Sequence, residues 1–184
     1  MLFGLTIASV GIVSVAIILL LGYYVRTGAP PVPAKPSEVA DVVALLKEAG
    51  LSDGACVYEL GCGWGTLAVA VARAFPKTRV IGVEMSPIPH AVAATRARRI
   101  PNLEVRRADF HRISLKDADA VTCYLMIAPM DRLARTLDRE LRNGTPVVAL
   151  TFWFRGRVPV ARRRGPGVRG DVALYYWPAY KEAA

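Results

Sequence analysis

Glu59-Leu60-Gly61-Cys62-Gly63-Trp64-Gly65 separates two apolar segments with different periods. Before it, Ala55 to Leu60 is a short, nearly continuous apolar run with the length of a strand buried on both faces. After it, Leu67, Ala68, Val71, Ala72 and Phe75 recur at helical spacing. The three glycines between them allow a tight strand-to-helix turn. They also let backbone come close to a ligand at a helix N-terminus, where free N–H groups point outward.

The same alternation continues on both sides. Upstream, Ser37 is placed to cap a helix with Glu38 and Asp41 in its first turn. Val39, Val42, Val43 and Leu46 form its apolar face, and Gly50 is a natural stop. Downstream, Arg79–Val83 reads as a second strand and Pro87–Arg99 as a second helix, followed by short strands at Leu103–Val105 and Ala120–Leu125. A helix from Pro129 to Arg142 turns Met130, Leu133, Leu137 and Leu141 inward and stops at Asn143-Gly144. Val147–Phe154 is the longest expected strand, and Arg155–Gly170 reads as an Arg/Gly/Pro-rich loop. Asp171–Trp177 follows that loop too closely for a crossover helix, so it is expected to pair antiparallel. The sequence therefore predicts an α/β, Rossmann-like fold: a mostly parallel twisted sheet, helices on both faces, and an antiparallel last strand.

The chain has 184 residues, 53% of them hydrophobic and 21% charged, which excludes a disordered polar protein. With 24 Lys+Arg against 15 Asp+Glu it carries +9 at neutral pH, and its mean hydropathy is +0.32. Neither property is spread evenly. Met1 to Val25 holds no charged residue, and Leu2–Val25 exceeds the run of about 20 apolar residues that spans a bilayer. Tyr23, Tyr24 and Arg26 follow where an interfacial belt belongs. A cleaved signal peptide would need a basic start, a shorter apolar run and a small-residue cleavage site, and the stretch has none of these. The expectation is an anchor at 1–26, a stiff proline-rich linker at 27–36 and a folded domain at 37–184, preceded by one transmembrane helix. Arg26 and Lys35 beyond the span place that domain on the cytoplasmic side. The location is then a bacterial or archaeal cell membrane, or the mitochondrial inner membrane in a eukaryote.

Three acids give the glycine turn a chemical character. Glu84 ends the second strand, where a carboxylate can accept the two hydroxyls of a ribose. Asp109-Phe110 follows the third strand and offers a carboxylate and a ring near the place of an adenine. Glu59 puts an anion beside the glycines, where a pyrophosphate would be repelled, and Thr66 breaks the G-x-G-x-x-G pattern of dinucleotide sites. S-adenosylmethionine has no phosphate and carries an ammonium and a sulfonium, so it suits an acidic turn better. A glycine turn with incidental acids is the alternative, and the strand-end placement of both downstream acids weighs against it.

Taken together, these motifs resemble the class I S-adenosylmethionine-dependent methyltransferases. The narrower resemblance is to the single-pass, membrane-anchored protein-lysine methyltransferases of the mitochondrial inner membrane and their prokaryotic relatives. Those enzymes act on the ATP synthase c subunit and the adenine nucleotide translocase. The likeness runs from Pro31 to Trp177. Pro31-Val32-Pro33-Ala34 resembles the family's P-x-V-P-A segment, Glu84-Met85-Ser86-Pro87 its E-L-N-P, and Asp109-Phe110-His111-Arg112 its D-L-W-K. Thr151-Phe152-Trp153-Phe154 resembles its terminal R-F-x-F. The resemblance implies that Pro33, Glu59, Gly61, Cys62, Gly63, Gly65, Glu84, Met85, Asp109 and Phe110 hold S-adenosyl-L-methionine. It also implies protein-lysine N-methyltransferase activity on a membrane protein.

Tyr124, after the fourth strand, is the candidate for orienting the methyl acceptor; the alternative is a strand-end core aromatic. No Asp/Asn-Pro-Pro-Tyr sequence is present, which counts against amino groups of nucleic acids and glutamine as acceptors. No general base is required, because burial lowers the pKa of a lysine ammonium. His111 reads as a surface or capping residue. Cys56, Cys62 and Cys123 lack metal-ligand or disulfide spacing and read as buried apolar residues, so no metal is expected. Arg132, Arg135, Arg139 and Arg142 form a basic stripe on one expected helix, joined by Arg162-Arg163-Arg164. The stripe suits anionic lipid headgroups or is simply a solvated face; without interleaved aromatics, nucleic acid is the less favoured partner. The functional alternatives are a methyltransferase of a phospholipid amine or quinone, and a non-catalytic cofactor-binding membrane partner.

Overall fold

The computed structural model of the chain describes residues 10–11, 13–15, 17–18, 22, 32–164 and 170–180. The chain divides into two compact units, Met1–Pro30 and Pro31–Ala184. In the first, the described residues are helical, and Val10, Val13, Val15, Ile17 and Ile18 are all exposed. Most of the expected span Leu2–Val25 lies outside the described residues. Among those described, no helix is long and apolar enough to cross a membrane.

The second unit is built in the order α1 (Pro36–Glu48), β1 (Cys56–Leu60), α2 (Thr66–Ala74), β2 (Arg79–Glu84), α3 (Pro87–Ala97) and β3 (Leu103–Arg107). There follow a 3₁₀ turn (Phe110–Arg112), β4 (Ala120–Cys123), α4 (Ile127–Glu140), β5 (Pro146–Leu150), β6 (Ala161–Arg163) and β7 (Val172–Tyr176). One seven-stranded sheet has the order β3-β2-β1-β4-β5-β7-β6. The first five strands in that order are parallel, and β7 pairs antiparallel with both β5 and β6.

Each face of the sheet carries its own core. On one face, Val57, Val80, Val148 and Leu174 meet α1, α2 and α3 through Val42, Leu45, Leu46, Leu67, Val71 and Ala93. On the other, Tyr58, Ile81, Val121, Val147 and Tyr175 meet α4 through Met130, Leu133 and Leu137. Beyond α4 that second face is closed by aromatic packing: Phe154 lies edge-on to Tyr175 and Trp177, with centroids 5.4 and 5.0 Å away.

Several expectations are corrected at element ends. α1 starts one residue inside the expected linker, at Pro36, and Lys35 rather than Ser37 is its N-cap. Proline at the first helical position needs no N–H partner, and the Glu38 carboxylate takes the Lys35 N–H at 2.8 Å instead. β5 stops at Leu150 instead of reaching Phe154, because Thr151 turns to φ +70°, a conformation that ends a ladder. α4 ends at Glu140, which leaves Arg142 off the helical stripe; it bonds Asp119 at 2.7 Å and the Ala118 carbonyl. Arg155–Gly170 is not all loop. It contains β6, whose arginines suited a loop reading but alternate across a two-sided edge strand.

Asn102 joins three pieces of this frame. Its amide nitrogen is 3.0 Å from each of the carbonyls of Ala72, Phe75 and Thr78, at the end of α2 and the approach to β2. Asn102→Leu removes the amide from all three carbonyls; Phe75 keeps the Thr78 N–H and hydroxyl, at 3.1 and 2.8 Å, while Ala72 and Thr78 lose this side-chain donor. The substitution is expected to lower the unfolding free energy by about 2–3 kcal/mol in urea titration, with an unchanged denaturant slope.

Candidate active site

In the sheet, β1 lies between β2 and β4, so the chain's connections leave it in opposite directions. In such sheets ligands bind at the carboxyl ends of the strands beside this switch point. The glycine turn lies there. Gly61, Gly63 and Gly65 all take positive φ, at 74°, 53° and 78°. At Gly61 a Cβ would lie 2.6 Å from Leu125 Cδ2 and 4.0 Å from the Phe110 ring, so three strand ends converge on that one backbone position. At Gly65 a Cβ would stand 3.0 Å from Ala93 Cβ and 3.2 Å from its Cα, so the glycine sets the closeness of α2 and α3.

Backbone and carboxylate bonds lash the turn to β2. Gly61 and Cys62 both donate to the Val83 carbonyl, at 2.8 and 3.0 Å, and Gly65 donates to the Cys62 carbonyl at 2.8 Å. Glu84, buried, takes the Gly63 N–H at 2.8 Å on one oxygen and the Ser86 N–H at 2.7 Å on the other. Each oxygen keeps a lone pair beyond these bonds. Cys62 is tucked beneath the turn against Gly82, where a Cβ would meet its sulfur at 3.0 Å.

Glu59 follows from strand alternation. It shares the face of Val57, toward α2, and is 3% exposed. The backbone N–H of Ala68, in the first turn of α2, bonds its carboxylate, while Oε2 is buried with no partner. Burial raises its pKa to about 8 against the lowering effect of that N–H bond, and Glu84 adds a smaller rise. Burial likewise pushes the Cys123 thiol up to about 12 and the Cys62 thiol higher still, so neither is a nucleophile at neutral pH. All three cysteines are buried and free, as expected. Among the described residues no group of His, Cys, Asp or Glu could hold a metal.

The remaining sequence candidates gather unevenly. Asp109 caps the 3₁₀ turn by accepting from the His111 N–H at 2.9 Å, and this sets Phe110 beside Gly61. Met85 is half-buried between Glu84 and Ser86. Cys123 pairs with Leu60, so Tyr124 comes level with Gly61, half-buried against the core. Pro33 is exposed and outside any helix or strand, while its neighbour Ala34 is buried in the core on the α1 face. His111 is half-buried rather than on the surface. Its Nδ1 lies 3.0 Å from Thr136 Oγ1, and that hydroxyl donates its one hydrogen to the Arg132 carbonyl. Burial reinforced by Arg132 lowers the pKa of the imidazole.

The sequence reading missed the supports. The Ser86 and Ala68 N–H groups and the Leu125 side chain carry no motif. The sequence marks Glu38 only as a first-turn helix residue. It is 4% exposed and also accepts from the Gly170 N–H at 3.3 Å, linking the Pro33-Ala34-Lys35 segment to the approach to β7. Gly170 is pressed so close to Thr151 that a Cβ there would overlap Thr151 Oγ1.

The family model for the ANTKMT methyltransferase domain matches residues 59–161, which hold the glycine turn, Glu84, Asp109 and Tyr124. The chain belongs to this family. A protein-lysine N-methyltransferase of Saccharolobus islandicus is 30% identical over 133 residues, covering 71% of this chain and 83% of that protein. The crystal structure of an RNA methyltransferase from Salinibacter ruber in complex with S-adenosyl-L-homocysteine superposes with a TM-score of 0.71 at 26% identity. The match covers 83% of this chain and 97% of that one. A coclaurine N-methyltransferase structure bound to N-methylheliamine and S-adenosyl-L-homocysteine shares the fold, at 23% identity and a TM-score of 0.51, over 61% of this chain and 35% of that one. The protein is an S-adenosylmethionine-dependent methyltransferase.

The buried acid gives a pH dependence with a definite sign. With the folded pKa of Glu59 near 8 and the unfolded one near 4.5, the folded state alone holds this proton between those values. Stability is lost across that window as pH rises, by up to about 1.4 kcal/mol per pH unit, and no further above it. The lowered His111 pKa works in the opposite sense below its ordinary value, so the difference between wild type and Glu59→Gln isolates the acid. In urea unfolding of the cofactor-free protein, the variant is expected to gain on the wild type from pH 5 to pH 8. Parallel profiles would show that Glu59 is ionised in the fold.

Proposed function

We propose that this enzyme is a membrane-anchored protein-lysine N-methyltransferase acting on a membrane protein. The observation that carries the lysine assignment is the similarity to the Saccharolobus islandicus enzyme across most of both chains. Anchoring rests on the uncharged stretch Leu2–Val25, with residues 1–26 crossing the bilayer, 27–36 as linker and the catalytic domain on the cytoplasmic side. Arg132 and Arg135, exposed on α4, carry charge that would favour anionic headgroups.

The donor set fits S-adenosylmethionine. Glu59 keeps a buried, unpartnered oxygen under the glycine turn, suited to draw a cationic amino group; Glu84 has lone pairs for ribose hydroxyls. Gly61, Cys62, Gly63 and Gly65 supply the close backbone, and Met85, Asp109 and Phe110 flank the base. Pro33 closes the site from the α1 side. When bound, the cofactor supplies a methyl group activated on a sulfonium.

The chain's own residues position and dry the acceptor. Tyr124, Leu125 and Met126 after β4, and Phe152 and Trp153 after β5, make the neighbouring strand ends largely apolar. An ammonium brought there loses hydration, its pKa falls, and the neutral amine exposes its lone pair for in-line attack. Tyr124 orients that nitrogen.

A second reading, transfer to RNA, is favoured by one observation, the likeness to the Salinibacter ruber enzyme. Methyl-labelled S-adenosylmethionine, the full-length enzyme and membranes from a strain lacking it separate the two. Label in a protein band, released as methyl-lysine on hydrolysis, is expected. Label confined to RNA or to the lipid phase overturns the lysine reading. For the cofactor site, Glu84→Gln is expected to weaken S-adenosylhomocysteine binding about tenfold or more by calorimetry, as charge-assisted bonds to hydroxyls are lost. Unchanged affinity removes Glu84 from the site.

A further inference from the structure

Away from the strand ends, α2 and α3 enclose a cleft of about 610 Å³ that the methyl-transfer reading does not use. Its floor is Val69, Ala70 and Ile100, and its rim carries the guanidinium groups of Arg73, Arg96 and Arg99, all exposed. Among the described residues no carboxylate lines it, and neither Arg73 nor Arg99 has an ion-pair partner within 4.0 Å. Arg79, Arg106, Arg112, Arg142, Arg157, Arg163 and Arg164 each stand against an acid, whereas Arg98, Arg107, Arg132, Arg135, Arg139, Arg155 and Arg162, like Arg73 and Arg99, have no ion-pair partner among the described residues. What sets the cleft apart is that three arginines gather around one concavity.

Three permanently charged, mutually repelling groups around a concave apolar floor match one ligand chemistry. Guanidinium forks take phosphate oxygens in pairs, and the side chains of Val69, Ala70 and Ile100 suit an apolar body attached to that phosphate, with the Thr66 and Thr95 hydroxyls beside it. The size is that of a small-molecule site. A bare anion would leave the floor unused.

Arg96 gives such a ligand a consequence. Its Nη1 donates to the Trp64 carbonyl at 2.9 Å and reaches Thr66 Oγ1 at 3.4 Å, so one edge of the guanidinium already grips the glycine turn. The Nε and Nη2 edge has no partner among the hydrogen bonds described. A phosphate taken on that edge fixes Arg96 in its grip on the turn, and through Trp64 it steadies Gly63 and Gly65. We propose that this cleft binds a phosphate ester and that its occupancy strengthens cofactor binding through Arg96. The same headgroup chemistry can be presented by an anionic phospholipid or by a soluble phosphate.

Calorimetry on the full-length protein tests the proposal, with Arg73→Gln/Arg99→Gln and Thr95→Trp as variants. The first removes charge far from the turn. The second obstructs the rim and keeps all three arginines. In non-ionic detergent, phenyl phosphate is the soluble probe; phosphatidylcholine nanodiscs with and without phosphatidylglycerol are the lipid probe. At least one of the two is expected to raise S-adenosylhomocysteine affinity about threefold or more. Both variants are expected to abolish that gain while matching wild-type affinity without the probe. A gain with phenyl phosphate assigns a soluble ligand, and a gain confined to phosphatidylglycerol discs assigns a lipid headgroup. No gain with either probe, or a gain that survives both variants, overturns the proposal. Either result is independent of which acceptor is methylated.

Discussion

The Glu84 carboxylate holds the Gly63 N–H with one oxygen and the Ser86 N–H with the other. It thereby fixes two loops that leave adjacent strands. Without it the turn after β1 would be joined to β2 only by the Val83 carbonyl. The approach of Phe110 and Leu125 to Gly61 depends on that turn staying low over the sheet edge. The group proposed to receive ribose hydroxyls is thus also the one that shapes the cradle. Binding and architecture share a single side chain, which is why a conservative change to glutamine is the informative one.

Below this clasp the sheet sorts its residues by face. β1 sends Tyr58 and Leu60 to the α4 side, and Val57 and Glu59 to the α2 side. A carboxylate in the second position of such a pair is costly to bury unless something offsets it. Without a ligand the Ala68 N–H offsets part and protonation the rest, whereas a cationic ligand would favour the ionised form instead. The acid is most at ease when the site is filled.

Much of this was legible in the sequence because period and punctuation agree. The strand-to-helix switch around Gly61–Gly65, the acid ending β2, and the inward Met130, Leu133 and Leu137 each follow from local pattern. The failures have a common physical cause: they depend on long-range partners. Thr151 breaks β5 while crowded against Gly170, and no local residue signals the break. β6 exists because β7 offers it an edge, although its own arginines argue for a loop. Ser37 looked like the better cap, yet the capping box runs through Lys35 and Glu38, and Glu38 is also held from Gly170. The Ser86 and Ala68 backbone donors were invisible, since every residue but proline has the same N–H.

The order β5-β7-β6 also bears on how the domain is made. β7 inserts between β5 and β6, so the apolar edge of β5 has no neighbour until residues 172–176 have been synthesised. An emerging chain that ends at β6 holds a five-stranded parallel sheet with an open edge of Pro146–Leu150, the kind of edge that recruits foreign strands. The ribosome must therefore deliver nearly the whole domain before the sheet can close. A nascent chain would depend on chaperones to survive the interval.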